Sequence, residues 1–105
     1  MAEATKSNSP LEQTLSMLGG KWKILILWQL QGGTLRFGEL KKAIPGITPK
    51  ILTQQLRELE GHHLITRCVY AQVPPKVEYS LTANGRTLQA ILDSMFSWGK
   101  IQIED

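Results

Sequence analysis

The chain has 105 residues, twelve Lys or Arg against nine Asp or Glu, a formal net charge of +3, and 42% hydrophobic and 20% charged residues. This length suits one small domain, and the balance of apolar to charged residues excludes a disordered chain. The only cysteine, Cys68, excludes an internal disulfide and fits a reducing compartment. The longest apolar run, Ile24 to Trp28, is too short to cross a bilayer, and Met1 to Asn8 lacks the apolar segment of a signal peptide, so a cytoplasmic protein is expected.

Residues 1–8 read as a disordered tail and 9–105 as one domain. Ser9-Pro10-Leu11-Glu12 is a capping box that starts a short helix ending at Leu18, with Leu11, Leu15 and Leu18 on one face. Gly19-Gly20 separates it from a second helix, Lys21 to Gln31, whose Trp22, Leu25, Ile26, Trp28 and Leu30 make it apolar over much of its circumference and central to the core. Gly32-Gly33 breaks the chain again. Leu35 to Phe37 suits a minimal strand, and Gly38 to Ile44 a third helix with Leu40 and Ala43 inward and Lys41 and Lys42 outward.

The next segment is the most informative. Pro45-Gly46 breaks the chain, Thr48 has a capping hydroxyl and Pro49 suits a first helical position, so a helix starts at Pro49 and runs to Gly61. Leu52, Leu56 and Leu59 recur at i, i+4 and i+7 on a core-facing stripe. Lys50, Gln54 and Arg57 fall on the opposite stripe with Thr53 on its flank and Glu58 and Glu60 to its sides. These side chains can donate to base edges and phosphates, as a helix in a major groove requires. The charge distribution agrees, since eight Lys or Arg and four Glu give 34–86 a net charge of +4, which favours a polyanionic partner.

Beyond this helix the hydrophobic period changes from 3.6 to 2. Thr66 to Val73 and Val77 to Leu81 form a two-stranded hairpin with Pro74-Pro75 at its tip, and Val77, Tyr79 and Leu81 alternate with Lys76, Glu78 and Ser80. Thr82 then caps a last helix reaching to about Ile101. It carries Leu88, Ile91, Leu92, Met95, Phe96 and Trp98, a wider apolar arc than a small core uses.

This element order is that of a winged helix-turn-helix, a mainly helical α+β fold with a two-stranded antiparallel wing and terminal dimerisation helices. Its motifs resemble one family, the HxlR-type regulators of the broader MarR-like group. They are Gly19-Gly20-Lys21-Trp22, Arg36-Phe37-Gly38-Glu39-Leu40, Gly46-Ile47-Thr48, the run Leu52 to Glu60, the run Val73 to Thr82, and Trp98-Gly99. The match spans Ser9 to Gly99. The resemblance implies a homodimeric bacterial transcription regulator, with the Pro49–Gly61 helix in the major groove of double-stranded DNA and the hairpin as a wing. Two residues depart from it. Ser9 stands where many family members carry a redox-sensing cysteine, and His63 stands where they tend to have glycine, so the end of the reading helix is expected to be shifted or strained.

The DNA-contacting candidates are Thr48, Pro49, Lys50, Thr53, Gln54 and Arg57 on the reading helix, Arg67 and Lys76 on the wing, and Arg36 and Lys41 before them. Lys76 is the stronger wing candidate, because Arg67 has glutamates to pair with. The dimer surface is assigned to Leu11 and Leu15 with Leu88, Leu92, Met95 and Trp98, and a two-fold dimer would address a pseudopalindromic operator.

His62-His63 suggests no metal site, since adjacent helical residues diverge by about 100° and no nearby Cys or Asp completes a ligand set. Cys68 reads as a small buried strand residue. No nucleophile-base-acid set and no phosphate-cradling glycine loop is present, so neither catalysis nor a cofactor is expected. A small-molecule effector is left open. The competing class is a winged-helix adaptor that binds protein, which would need no cationic outward stripe.

Overall fold

The computed structural model describes residues 9–104; the expected tail at 1–8 lies outside the described residues. The elements follow in the order α1 (Pro10–Leu18), α2 (Trp22–Leu30), β1 (Leu35–Arg36), α3 (Phe37–Ala43), α4 (Pro49–Gly61), β2 (Ile65–Tyr70), β3 (Lys76–Leu81), α5 (Ala83–Arg86) and α6 (Gln89–Glu104). This is the winged helix-turn-helix order. The three strands form one antiparallel sheet in the order β1-β3-β2, so the minimal strand joins the hairpin at its edge rather than standing apart.

Local chemistry accounts for the starts of α1, α4 and α5. The Ser9 hydroxyl accepts from the Glu12 amide at 3.3 Å, Thr48 from Ile51 at 3.1 Å, and Thr82 from Gly85 at 2.9 Å, each satisfying an amide that has no partner inside its helix. The turn before α4 needs Gly46, whose φ of 85° is a left-handed conformation that a side chain resists.

The core centres on α2 and α4. Ile26, Leu27 and Leu30 meet Leu40, Leu52, Leu56 and Leu59, and Leu64, Ile65, Tyr79 and Leu81 close it from the sheet side. Leu25, expected to serve the core, lies on the exposed side of α2. Ala43 is also exposed. The chain leaves α3 at that residue, and Ile44, one position further round, is the side chain that turns inward.

The end of α4 combines order with strain. The His63 amide donates to the Glu60 carbonyl at 2.9 Å and the Leu64 amide to Leu59 at 3.1 Å, the paired bonds of a Schellman motif. The left-handed position of that motif is taken by His63, at φ 59°. The helix end is not shifted. The motif stands where glycine would place it, and His63 carries the strain.

The last helix does not run unbroken from Thr82. It divides at Thr87-Leu88, where amides bond back three residues, from Thr87 to Asn84 and from Leu88 to Gly85. A Cβ on Gly85 would strike the Leu64 carbonyl oxygen, so α5 packs closely against the segment that follows α4. Only Leu92 in α6 is buried, at 3% exposure, with Leu88 half-buried beside it. Phe96 stacks on Trp28 of α2, with ring centroids 4.8 Å apart and planes 6° from parallel.

Candidate nucleic-acid interface

Burial of Leu52, Leu56 and Leu59 orients α4, and the 3.6-residue period then decides what faces outward. Pro49, Lys50, Gln54 and Arg57 are exposed and, with half-buried Thr53, line a shallow hollow along the outer side of the helix. Thr48 is exposed at its start, with its hydroxyl engaged as the cap. A second hollow lies between α4 and the sheet, lined by Phe37, Thr53, Leu56, Arg57, Glu60, Arg67 and Tyr79. Thr53 and Arg57 belong to both, so the outward stripe of α4 continues into the concavity that holds Arg67. Among the described residues, no ion pair within 4 Å engages Lys50, Arg57 or Arg67, and the glutamate expected to compete for Arg67 does not capture it.

The other acid of the helix is neutralised from behind. Glu58 Oε1 lies 2.6 Å from the ammonium of Lys23, a residue of α2 that is only 7% exposed. The hydrogen bond from Lys23, then its charge, hold the Glu58 carboxyl below the ordinary value, and Gln54 adds to this by donating from Nε2 to Oε2 at 3.3 Å. The sequence reading missed Lys23. The available signal was a lone cation inside an otherwise apolar helix, because a buried lysine needs a partner.

Register separates the two wing cations. Arg67 pairs with Tyr79 and shares its face with Ile65, Val69, Val77 and Leu81, whereas Tyr70 pairs with Lys76 and shares the opposite face with Cys68 and Glu78. Arg67 therefore looks toward α4 and Lys76 looks away. Lys76 is also partly committed within the wing, its ammonium 4.5 Å from the Tyr70 ring centroid and 3.6 Å from Glu78 Oε2. Arg36 stands opposite Glu78 in the β1-β3 ladder and lines a separate hollow with Thr34, Gly38, Glu39, Lys42 and Glu78, where two acids balance the cations. Lys41 is exposed on α3 and lines neither hollow of α4. The sequence grouped these cations together; of them, the structure brings only Arg67 to α4.

Cys68 is exposed, not buried, because no described residue packs over the outer face of the wing. Its thiol and then Glu78 act on Tyr70, whose phenol is pushed up to about 12. Of the residues assigned to the dimer surface, Leu11 and Leu15 are 70% and 61% exposed, and Met95 and Trp98 are 46% and 68% exposed. Leu92 is a correction. It packs into the protomer's own core, and Leu88 is half-buried against the same core.

The HxlR-like helix-turn-helix family model matches residues 17–105. The chain belongs to this family. It is 55% identical over 97 residues to the HTH-type transcriptional regulator YtcD of Bacillus subtilis, covering 92% of this chain and 77% of the relative. It is 53% identical over 96 residues to the regulatory protein MalR of Fusobacterium mortiferum, covering 90% and 91%. The crystal structure of ytcD superposes with a TM-score of 0.87 at 54% identity, covering 92% of this chain and 99% of that one. The redox regulator HypR in its oxidized form superposes with a TM-score of 0.84 at 50% identity, covering 88% and 95%. This HxlR-type chain is accordingly a DNA-binding transcriptional regulator, and no helix among its described residues is long and apolar enough to cross a membrane.

Proposed function

We propose that two copies of this regulator join through α1 and α6 and set their α4 helices in major grooves of a pseudopalindromic operator. In this reading Gln54, with Lys50 and Thr53, reads base edges, Arg57 serves a base or the groove wall, and Thr48 and Pro49 lie at the groove edge. Arg67 anchors to phosphate beside the helix, and Lys76, Arg36 and Lys41 act as outlying phosphate contacts. The observation that carries the reading is the outward face of α4, which is cationic, without ion pairs at Lys50 and Arg57 among the described residues, and continuous with Arg67.

The two-fold arrangement is supported by α6, a helix of 16 residues that buries only Leu92 and exposes Met95, Trp98, Ile101 and Ile103. A helix so sparsely packed gains most of its stability from tertiary contacts, which a second copy would supply. The test is competitive binding to genomic fragments in the presence of unrelated DNA. Retention of a few fragments with recurring inverted half-sites supports the reading. Uniform binding to all fragments removes sequence specificity, and no binding at low salt favours the adaptor class.

A further inference from the structure

Lys23 is the only buried charged side chain among the described residues, yet it lies on α2, a helix that contributes nothing to the outward face of α4. Stability explains it poorly, because a buried ion pair is rarely better than a packed apolar pair of similar volume. Its geometry is more telling. The Nζ atom reaches Glu58 Oε1 at 2.6 Å, and the other oxygen of the same carboxylate accepts from Gln54 Nε2 at 3.3 Å. Glu58 follows Gln54 by one helical turn, so the three groups form a chain leading from the core to the surface that α4 presents.

The carboxylate also decides which way the amide lies. A glutamine carbonyl turned toward Glu58 would meet like partial charge, so Nε2 faces the carboxylate and Oε1 faces away. One N–H of Gln54 is then engaged, while the second N–H and Oε1 remain for a base edge, the donor-acceptor pair that adenine N7 and N6 require. An exposed glutamine without this tether would lose more rotamer freedom on binding and would enter the groove in either amide orientation.

We propose that Lys23 is a positioning residue for DNA reading, holding Glu58 so that Glu58 holds the Gln54 amide in the orientation that meets a base. This rests on the reading of Gln54 as a base-contacting residue. By engaging Glu58, Lys23 also keeps an unpaired acid away from the phosphates beside α4.

The probe is a duplex selected by the parent protein from a random-sequence pool, together with its single-base variants in each half-site. Gln54→Ala identifies the base pair whose preference depends on the amide. At that pair Lys23→Met is expected to lower discrimination about tenfold, within the range one bidentate amide contact supplies, and to leave ratios at other pairs unchanged. It should change nothing further at that pair in a Gln54→Ala background, and Lys23→Arg should restore the parental ratio. Should Lys23→Met fail to fold, Glu58→Gln tests the same chain at a side chain that is 43% exposed: it keeps an acceptor for the Lys23 ammonium but turns a donor toward Gln54, with the same loss expected. Parental discrimination in both variants, or an equal loss at every base pair, would make Lys23 purely structural and overturn the proposal. If Gln54→Ala itself keeps the parental preference, Gln54 is not a reader and the relay fails with it, an outcome visible in that single variant.

Discussion

Helices α4 and α6 are both amphipathic, and their outer faces differ in kind. α4 buries three leucines and turns Lys50, Gln54 and Arg57 outward, whereas α6 buries Leu92 and turns Met95, Trp98, Ile101 and Ile103 outward. The first face is stable in water and gains from meeting an anion. The second costs roughly 25 cal/mol for each Å² of apolar surface left in water, so it is stabilised by an apolar partner. In the proposed reading the chemistry left exposed by each helix suits a different partner: nucleic acid for α4, a second copy of the chain for α6.

The largest expected effect would break the α6 side of this comparison. Met95→Glu together with Trp98→Glu places charge on the exposed arc without touching the protomer core, and should weaken the dimer by several kcal/mol. Sedimentation should then show monomers that keep the protomer core, with helical circular dichroism lowered by no more than the fraying of α6; an intact dimer would remove α6 from the interface. Leu92→Glu is a poor substitute, since Leu92 is 3% exposed and its loss would unfold the protomer.

On the α4 side, reading and anchoring should separate. Gln54→Ala should cost about 1–3 kcal/mol on the preferred operator and flatten discrimination at one position in each half-site. Arg67→Ala should weaken specific and unrelated DNA alike and lower the salt slope of log affinity by about one per lost phosphate contact, or about two per dimer. Lys76→Ala should lower that slope less, because Tyr70 and Glu78 already engage its ammonium. Affinities across single-base operator variants at several salt concentrations check all three. A change of base preference in Lys76→Ala with a uniform loss in Gln54→Ala would reverse the assignment of helix as reader and wing as anchor.

Two smaller effects sharpen the contrast between strained and relaxed positions. His63→Gly should stabilise the protomer by about 0.5–1 kcal/mol, since relief of the left-handed strain exceeds the entropy that glycine adds to the unfolded chain. A thermal midpoint unchanged or lowered would show that the side chain contributes contacts that offset its backbone conformation. Smallest of all, Cys68→Ser should leave operator affinity within experimental scatter, and mild diamide should alter the parent little, because Ser9 occupies the position of the expected sensing thiol. Oxidant-dependent loss of binding that vanishes in Cys68→Ser would assign the redox role to the wing.

Much of this architecture was legible in the residues themselves. Thr48 and Pro49 locate the start of α4, Gly61 lies at its end, the leucine spacing selects its buried face, and the alternation from Lys76 to Leu81 marks β3. His63 in place of glycine announced a helix end either shifted or strained, and φ 59° at an unshifted end is the strain. Such signals are local: a cap acts within one turn, and periodicity reports which side of an element is apolar. They do not report what that side meets. The close approach of Gly85 to the Leu64 carbonyl seats α5 beside the end of α4, and Leu92 packs into the core. Packing of α2 behind α4 joins Lys23 to Glu58, and the register of β2 on β3 puts Arg67 and Lys76 on opposite faces. Each of these joins residues from different elements, so only the docking of one element on another, a property of the whole fold, decides them.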